Sequence, residues 1–172
     1  MSSENTAERI DPPLAASEPE MLNTFLDYQR ATLLWKVSGV SDEDLRRKTV
    51  SSSSLTLLGL VKHLAYVERF WFQRRFKGEE VSFPWTKDDP DADWRIEPDE
   101  TTAGIIELYQ VEAEKSRQIV REASLDDLEA RSWPSGEKVT LRWIMFHMIE
   151  EVARHNGHAD FLREAVDGVT GE

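Results

Sequence analysis

Four stretches of the chain carry apolar residues at the three-to-four-residue spacing that is typical of amphipathic helices. They run from Glu18 to Val37, from Leu55 to Phe76, from Thr101 to Ala123 and from Thr140 toward Val166. Gly39 follows the first stretch as a stop signal, and Ser54 and Thr140 stand before the second and fourth as candidate N-caps. The pattern predicts four helices of about 20 residues, each roughly 30 Å long.

The segment from 77 to 100 separates the second and third predicted helices. It contains Gly78, Pro84, Pro90 and Pro98 and an acidic run, a composition that favours a loop. Extended chain covers roughly 3.3 Å per residue, so this loop is long enough to return along a whole helix. The sequence therefore predicts an all-α four-helix bundle, either up-down-down-up or plain up-and-down.

The domain organisation predicted from composition is simple. Residues 1–18 are rich in Ser, Glu, Ala and Pro and are expected to form a flexible N-terminal tail. Residues 19–168 are predicted to form the bundle, and 169–172 a short C-terminal tail. At 172 residues, the chain is long enough for one domain with a substantial core.

Charge and composition exclude several classes of function. The net charge of -12 opposes binding to nucleic acid and to anionic membrane surfaces. The first residues lack the features of a secretory leader, and no apolar run approaches the roughly 18 residues of a membrane span, so we expect a cytoplasmic protein. The sequence has no cysteine, which excludes cysteine-ligated zinc and a thiol nucleophile of the protein's own.

The candidate chemistry lies in the fourth predicted helix. His147, Glu151, His155 and His158 fall there, within twelve residues. At about 100° per residue they lie within roughly 80° of one another on one helical face. The rise between His147 and His158 is about 16 Å, so the four side chains cannot share one ion.

Only neighbours on this face can act together, and three pairs are open: 147 with 151, 151 with 155, and 155 with 158. The remaining histidine, His63, lies in the second predicted helix. A lone histidine on an apolar face is more often a hydrogen-bonded boundary residue. Added to any of the three pairs, however, His63 gives three ligands and leaves a position open, as in catalytic zinc sites.

Other metal-site and pocket signals are weaker. The sequence has no HExxH and no paired Glu-x-x-His motifs, so zinc-protease and di-iron interpretations lack support. His147 flanks the core stripe and is expected to be structural. Trp85 and Trp94 lie in the predicted long loop and are candidates for a pocket wall or lid.

Two segments, HLAYVERFWF and LRWIMFHMIEEVARHNGHADFLRE, resemble the DinB-like superfamily. The closest likeness is to its actinobacterial branch, which is related to the mycothiol-dependent maleylpyruvate isomerase and is mycothiol transferase-like. The resemblance runs from about Met21 to Asp167. It implies that a histidine of helix two joins a pair on the last helix, which maps onto His63, Glu151 and His155 as metal ligands.

The resemblance also implies a cofactor and a reaction. The metal is expected to be Zn²⁺, with Ni²⁺ or Mn²⁺ as alternatives. The cosubstrate is expected to be a low-molecular-weight thiol such as mycothiol, transferred to a small electrophile. Relatives often have glutamine where this chain has His158, which is a candidate for hydrogen bonding to a ligand or for proton transfer. The loop 77–100 is expected to shape the electrophile pocket.

Two other functional classes stay open at this stage. The first is a metal-dependent hydrolase, in which the open position holds water. The second is a non-enzymatic metal-binding stress or interaction protein. The isomerase has an additional C-terminal domain that is not found after Asp167 here, so maleylpyruvate isomerisation is not expected. A homodimer is compatible with such a bundle.

Overall fold

A computed structural model describes residues 8–170, and the outermost parts of the two predicted tails, 1–7 and 171–172, lie outside it. The α-helices are α1 (Glu18–Val37), α2 (Asp42–Leu45), α3 (Leu57–Glu68), α4 (Thr102–Arg121) and α5 (Leu141–Asp167). The described residues form no strand beyond one isolated bridge between Leu128 and Thr140. The prediction of an all-α protein is therefore confirmed.

Threonine side chains begin three of the long helices. Thr56, Thr101 and Thr140 each have an extended backbone, and each hydroxyl accepts a hydrogen bond from the backbone N–H three residues later. The prediction for Thr140 is confirmed. The prediction of Ser54 as a cap is wrong, because α3 begins two residues later and Thr56 takes that role.

The second predicted helix is not α-helical along its whole length. After Glu68 it continues as a π-helix over Arg69–Lys77, which ends at Gly78 with a left-handed φ of 75°. The wider turns bury Trp71, Phe72, Gln73, Arg75 and Phe76. The one-turn helix α2 was also not predicted, because it lies in a stretch that the sequence indicated to be a polar turn.

Helices α1 and α5 run parallel to each other. Near their beginnings Arg142 bonds to Glu18 at 3.0 Å, and near their ends Arg163 donates to the carbonyl oxygen of Lys36 at 2.9 Å. Between these points the side chain of Asn156 donates to the carbonyl oxygen of Gln29 at 2.9 Å. The last predicted helix thus returns to the side of the first.

Helix α3 runs against α5 and along α4. His63 contacts His155, and Trp71, eight residues further along in the π-helix, contacts His147, eight residues earlier in α5, so α3 and α5 are antiparallel. Arg69 reaches Glu112 of α4 at 2.9 Å, while Lys62 reaches Glu100 just before α4 begins. The topology is therefore up-down-down-up, which the long loop between α3 and α4 makes possible. None of the described helices is long and apolar enough to cross a membrane.

Buried carboxylates that meet arginines link the elements of the bundle. Glu68, which is fully buried, accepts two hydrogen bonds from Arg30 at 2.7 and 2.8 Å. Glu129, also fully buried, is bonded to Arg75 at 2.7 Å. Such pairs are costly to break, because the remaining charge stays uncompensated away from water.

The loop between the π-helix and α4 is fastened to one face of α3. The buried ammonium group of Lys62 donates to the carbonyl oxygen of Arg95 at 2.7 Å and to the carboxylate of Glu100 at 2.8 Å. One turn earlier, Gly59 leaves room for the loop, since a Cβ there would lie 2.5 Å from the carbonyl oxygen of Trp94. The backbone of α3 and the loop are therefore in direct contact.

Two helical glycines provide a matched test of this contact. Gly59→Ala is expected to lower the free energy of unfolding by about 1–3 kcal/mol, because the loop or the helix must shift. Gly157→Ala in α5 meets nothing within 4 Å, and higher helix propensity should make it neutral or stabilising by up to about 1 kcal/mol. Urea denaturation measures both variants, and equal effects would contradict the close packing at Gly59.

Replacing Arg30 tests the buried pair between α1 and α3. Arg30→Met leaves Glu68 buried without a cation and should cost roughly 3–5 kcal/mol of unfolding free energy. The control is Arg121→Met, which removes an ion pair with Glu114 whose side chains are 61% and 59% exposed, so its stability should stay close to wild type. A similar loss in both variants would show that burial of the Arg30 pair does not matter.

Candidate metal centre

Three predicted ligands converge between α3 and α5. The candidate ligand atoms of His63, Glu151 and His155 all lie within 4.8 Å of one another. An oxygen of Glu151 is 3.2 Å from Nε2 of His155 and 3.7 Å from Nε2 of His63. In the part of the chain from 8 to 170, this is the one group of three or more acidic or histidine side chains with such spacing.

The ring of His63 is held by two consecutive loop residues. Its Nδ1 lies 2.7 Å from a carboxylate oxygen of Asp93, and its face stacks on Trp94 with centroids 3.6 Å apart and planes at 13°. With the ring proton on Nδ1 donated to Asp93, the other nitrogen, Nε2, presents its lone pair to Glu151 and His155. This Nε2 is buried without a hydrogen-bond partner among the described residues.

The ring of His155 is also engaged on both sides. Its Nε2 faces Glu151, and its Nδ1 lies 3.1 Å from Nδ1 of His158. With the proton of His155 on Nδ1, that nitrogen donates and His158 accepts. Partial desolvation and the nearby His155 lower the pKa of His158, which favours the neutral acceptor form. Each of the two imidazoles thus has one nitrogen within hydrogen-bond distance of a residue outside the ligand set, Asp93 or His158, and one nitrogen directed at Glu151.

The electrostatics of the cluster favour a cation at its centre. The imidazoles of His155 and His63 hold the pKa of Glu151 far below its usual range, more than offsetting its burial. Burial alone would lower the pKa of His63, but the carboxylates of Asp93 and Glu151 outweigh it and raise the pKa. The same negative groups that favour a proton on this ring would favour a divalent cation in its place.

These observations fit a metal ion. A buried imidazole nitrogen without a partner, a second imidazole and an ionised carboxylate form the donor set of two histidines and one glutamate known from catalytic zinc sites. Three protein ligands leave a further position for substrate. The outer nitrogens of both histidines are hydrogen-bonded, as is usual for metal-binding histidines.

The other residues considered from the sequence lie elsewhere. His147 stacks on Trp143 at 5.2 Å and meets Trp71 edge-on at 4.6 Å, in an aromatic cluster of its own. Trp85 stacks on Phe83, whereas Trp94 is the loop tryptophan in contact with the candidate centre. Of the three pairs open on the last helix, the structure brings 151 and 155 together with His63.

Asp93 is a residue of the site that the sequence pattern did not indicate. It lies in the acidic run DDPDADW, which is typical of a solvated loop, and yet its side chain is only 7% exposed. The available signal was the neighbouring Trp94 within an otherwise polar run. Which acidic residue of such a run turns inward depends on how the loop packs on α3, and a sequence pattern does not show this.

Two cavities lie beside residues that contact the histidine ligands: Trp94, which stacks on His63, and His158, which is close to His155. A polar cavity of about 450 Å³ is lined by Trp94 together with Ser54 and Thr56. A larger and mostly apolar cavity of about 840 Å³ is lined by His158 together with Leu55 and Phe161. The connection between α2 and α3 contributes residues to both cavities.

The helical bundle and its site place the protein in the class of all-α proteins with a candidate His–Glu–His metal centre in the bundle. Within that class, the family model for mycothiol-S-transferase matches residues 21–168. The chain therefore belongs to the mycothiol S-transferase family, which confirms the resemblance drawn from the sequence. A comparison with curated proteins found no match.

Substitution of the three converging residues tests the metal centre. Purified protein is expected to bind one Zn²⁺ per chain, and His63→Ala, Glu151→Gln or His155→Ala should each abolish stoichiometric binding, because two ligands hold the ion poorly. The control is His147→Ala, which should bind zinc as the wild type does. Isothermal titration and elemental analysis measure the stoichiometry. Loss in the control, or retention in all three ligand variants, would contradict this assignment.

Proposed function

We propose that this protein is a divalent-metal-dependent S-transferase that joins a low-molecular-weight thiol, mycothiol, to a small electrophile. Membership of the mycothiol S-transferase family supports the thiol. The observation that supports the metal is the convergence of His63, Glu151 and His155, with the buried Nε2 of His63 lacking a partner. Zn²⁺ is the metal that this donor set suits best, with Ni²⁺ and Mn²⁺ as alternatives.

The absence of cysteine agrees with this reaction, because the sulfur nucleophile must then be supplied by the cosubstrate. A thiol is a poor nucleophile until it loses its proton. A divalent cation held by two neutral imidazoles and one carboxylate keeps a net positive charge, and would lower the pKa of a thiol placed in the open position. The thiol proton would pass to solvent water, the sulfur would form a bond to the electrophilic carbon, and the leaving group would depart with its electron pair.

The chain's own residues hold this arrangement in place. Glu151 supplies the negative ligand and lies between the two imidazoles. We infer that His158 supports His155 through the hydrogen bond between their Nδ1 atoms. The role of His158 in proton transfer stays a prediction.

Each of the two cavities reaches a residue that contacts a candidate ligand, Trp94 in one and His158 in the other, and we propose that they receive the two substrates. The apolar cavity beside His158 suits the carbon skeleton of an electrophile, because apolar groups gain free energy when they leave water. The polar cavity beside Trp94 has hydroxyl groups from Ser54 and Thr56 that suit a polar cosubstrate. The loop that carries Trp94 would thereby line the site of the thiol cosubstrate, whereas the sequence led us to expect it at the electrophile pocket.

Kinetics with and without the thiol test the proposal. Zinc-loaded protein, mycothiol and the electrophile 1-chloro-2,4-dinitrobenzene should give the thioether and chloride. The rate should saturate in both substrates and fall at least about tenfold in Glu151→Gln, which removes the negative ligand. His147→Ala is the control and should keep the wild-type rate.

The same assay separates the alternative functions. A metal-dependent hydrolase would release chloride at the same rate without thiol, since water takes the open position. A non-enzymatic protein would bind zinc and leave the uncatalysed rate unchanged. Either result would contradict the transferase.

A further inference from the structure

We propose that Asp93 is a positioning residue of the metal centre, which fixes the tautomer and the orientation of His63 so that Nε2 is available to the ion. The inference rests on the proposed metal-dependent function. It assigns a role to the loop between the π-helix and α4 that the three ligands alone do not explain. The centre then consists of three segments: α3, α5 and this loop.

The carboxylate of Asp93 is directed at the ring of His63. Its side chain is 7% exposed, and within residues 8–170 its one side-chain hydrogen bond is to Nδ1 of His63, at 2.7 Å. No lysine or arginine of that range forms an ion pair with it. When His63 is the neutral imidazole that a metal ligand must be, this buried carboxylate has no cation beside it, which is unfavourable without further compensation. A divalent cation on the far side of the imidazole provides that compensation.

The geometry of the ring explains what Asp93 contributes. An ionised carboxylate accepts hydrogen bonds and donates none. The proton of a neutral His63 is therefore held on Nδ1, and the lone pair is left on Nε2, which faces Glu151 at 3.7 Å. Trp94, the next residue, stacks on the ring and limits its rotation. Together the two loop residues determine both the tautomer and the plane of the ligand.

The position of Asp93 is in turn determined by α3. Lys62, next to His63 in the sequence, holds the loop at the carbonyl oxygen of Arg95, two residues beyond Asp93. Gly59 permits the close approach of the carbonyl oxygen of Trp94. Helix α3 therefore both carries the ligand and fastens the loop that orients it.

Zinc affinity of variants tests this role, because it is measured without turnover. Asp93→Asn should weaken zinc binding about tenfold, since an amide oxygen still accepts the hydrogen bond but less strongly than a carboxylate. Asp93→Ala removes the acceptor and should weaken zinc binding by close to about 100-fold. The matched control is Asp88→Asn, which makes the same change of charge at an exposed position of the same loop and should bind zinc as the wild type does. Competition titration with a chelating dye gives each dissociation constant.

A spectroscopic measurement separates orientation from a purely structural role. In zinc-loaded protein labelled with ¹⁵N-histidine, the Nδ1–H of His63 should give a protected, hydrogen-bonded proton signal. This signal should disappear in Asp93→Ala, while thermal unfolding of the metal-free variant shows that the fold is kept. If Asp93→Ala does not fold, Asp93→Asn takes its place, and its Nδ1–H signal should move upfield, because an amide oxygen accepts this proton less strongly than a carboxylate does.

The outcomes distinguish this inference from the function on which it rests. If the wild type binds no zinc, the metal-dependent function fails and the role of Asp93 fails with it. If the wild type binds zinc and both Asp93 variants bind it equally tightly, the role of Asp93 is overturned while the metal centre stands. Weakened binding in the Asp93 variants with an unchanged Asp88 control supports the inference.

Discussion

The need to compensate buried negative charge governs this structure. In the bundle, fully or almost fully buried carboxylates meet arginines, as Glu68 does with Arg30 and Glu129 with Arg75. Glu151 and Asp93 differ, because within the described range their ion-pair partners are histidines alone. A histidine that binds a metal is neutral, so a divalent cation between the imidazoles would supply the positive charge that matches these two carboxylates.

The topology of the bundle brings these carboxylates and the histidines together at one place. Because α3 runs against α5, a histidine in the middle of α3 lies opposite a glutamate and a histidine one turn apart on α5. The parallel pairing of α1 with α5 supports the helix that carries two of the three candidate ligands. The long loop then crosses α3 and adds Asp93 and Trp94, so that the centre is enclosed by three separate parts of the chain.

Much of this arrangement could be predicted from the sequence, and the reasons for success and failure are physical. Helical periodicity located the four long helices, and the cap Thr140 follows from simple hydrogen bonding. Helix geometry reduced the histidine cluster to adjacent pairs, but only the family resemblance selected one pair. The π-helix and the inward turn of Asp93 depend on tertiary packing, which overrides local preference and leaves no periodic signal.

The most direct test of the central claim is the absorption spectrum of the cobalt-substituted protein titrated with mycothiol. Cobalt(II) in a site of two histidines and one glutamate should show the visible absorption bands that are typical of cobalt with a low coordination number. Added thiol should produce a near-ultraviolet thiolate-to-cobalt charge-transfer band that saturates at one equivalent. Such a band would show that the cluster holds a metal with a position open to the thiol. A spectrum identical to that of aqueous cobalt, or one that mycothiol leaves unchanged, would contradict the account.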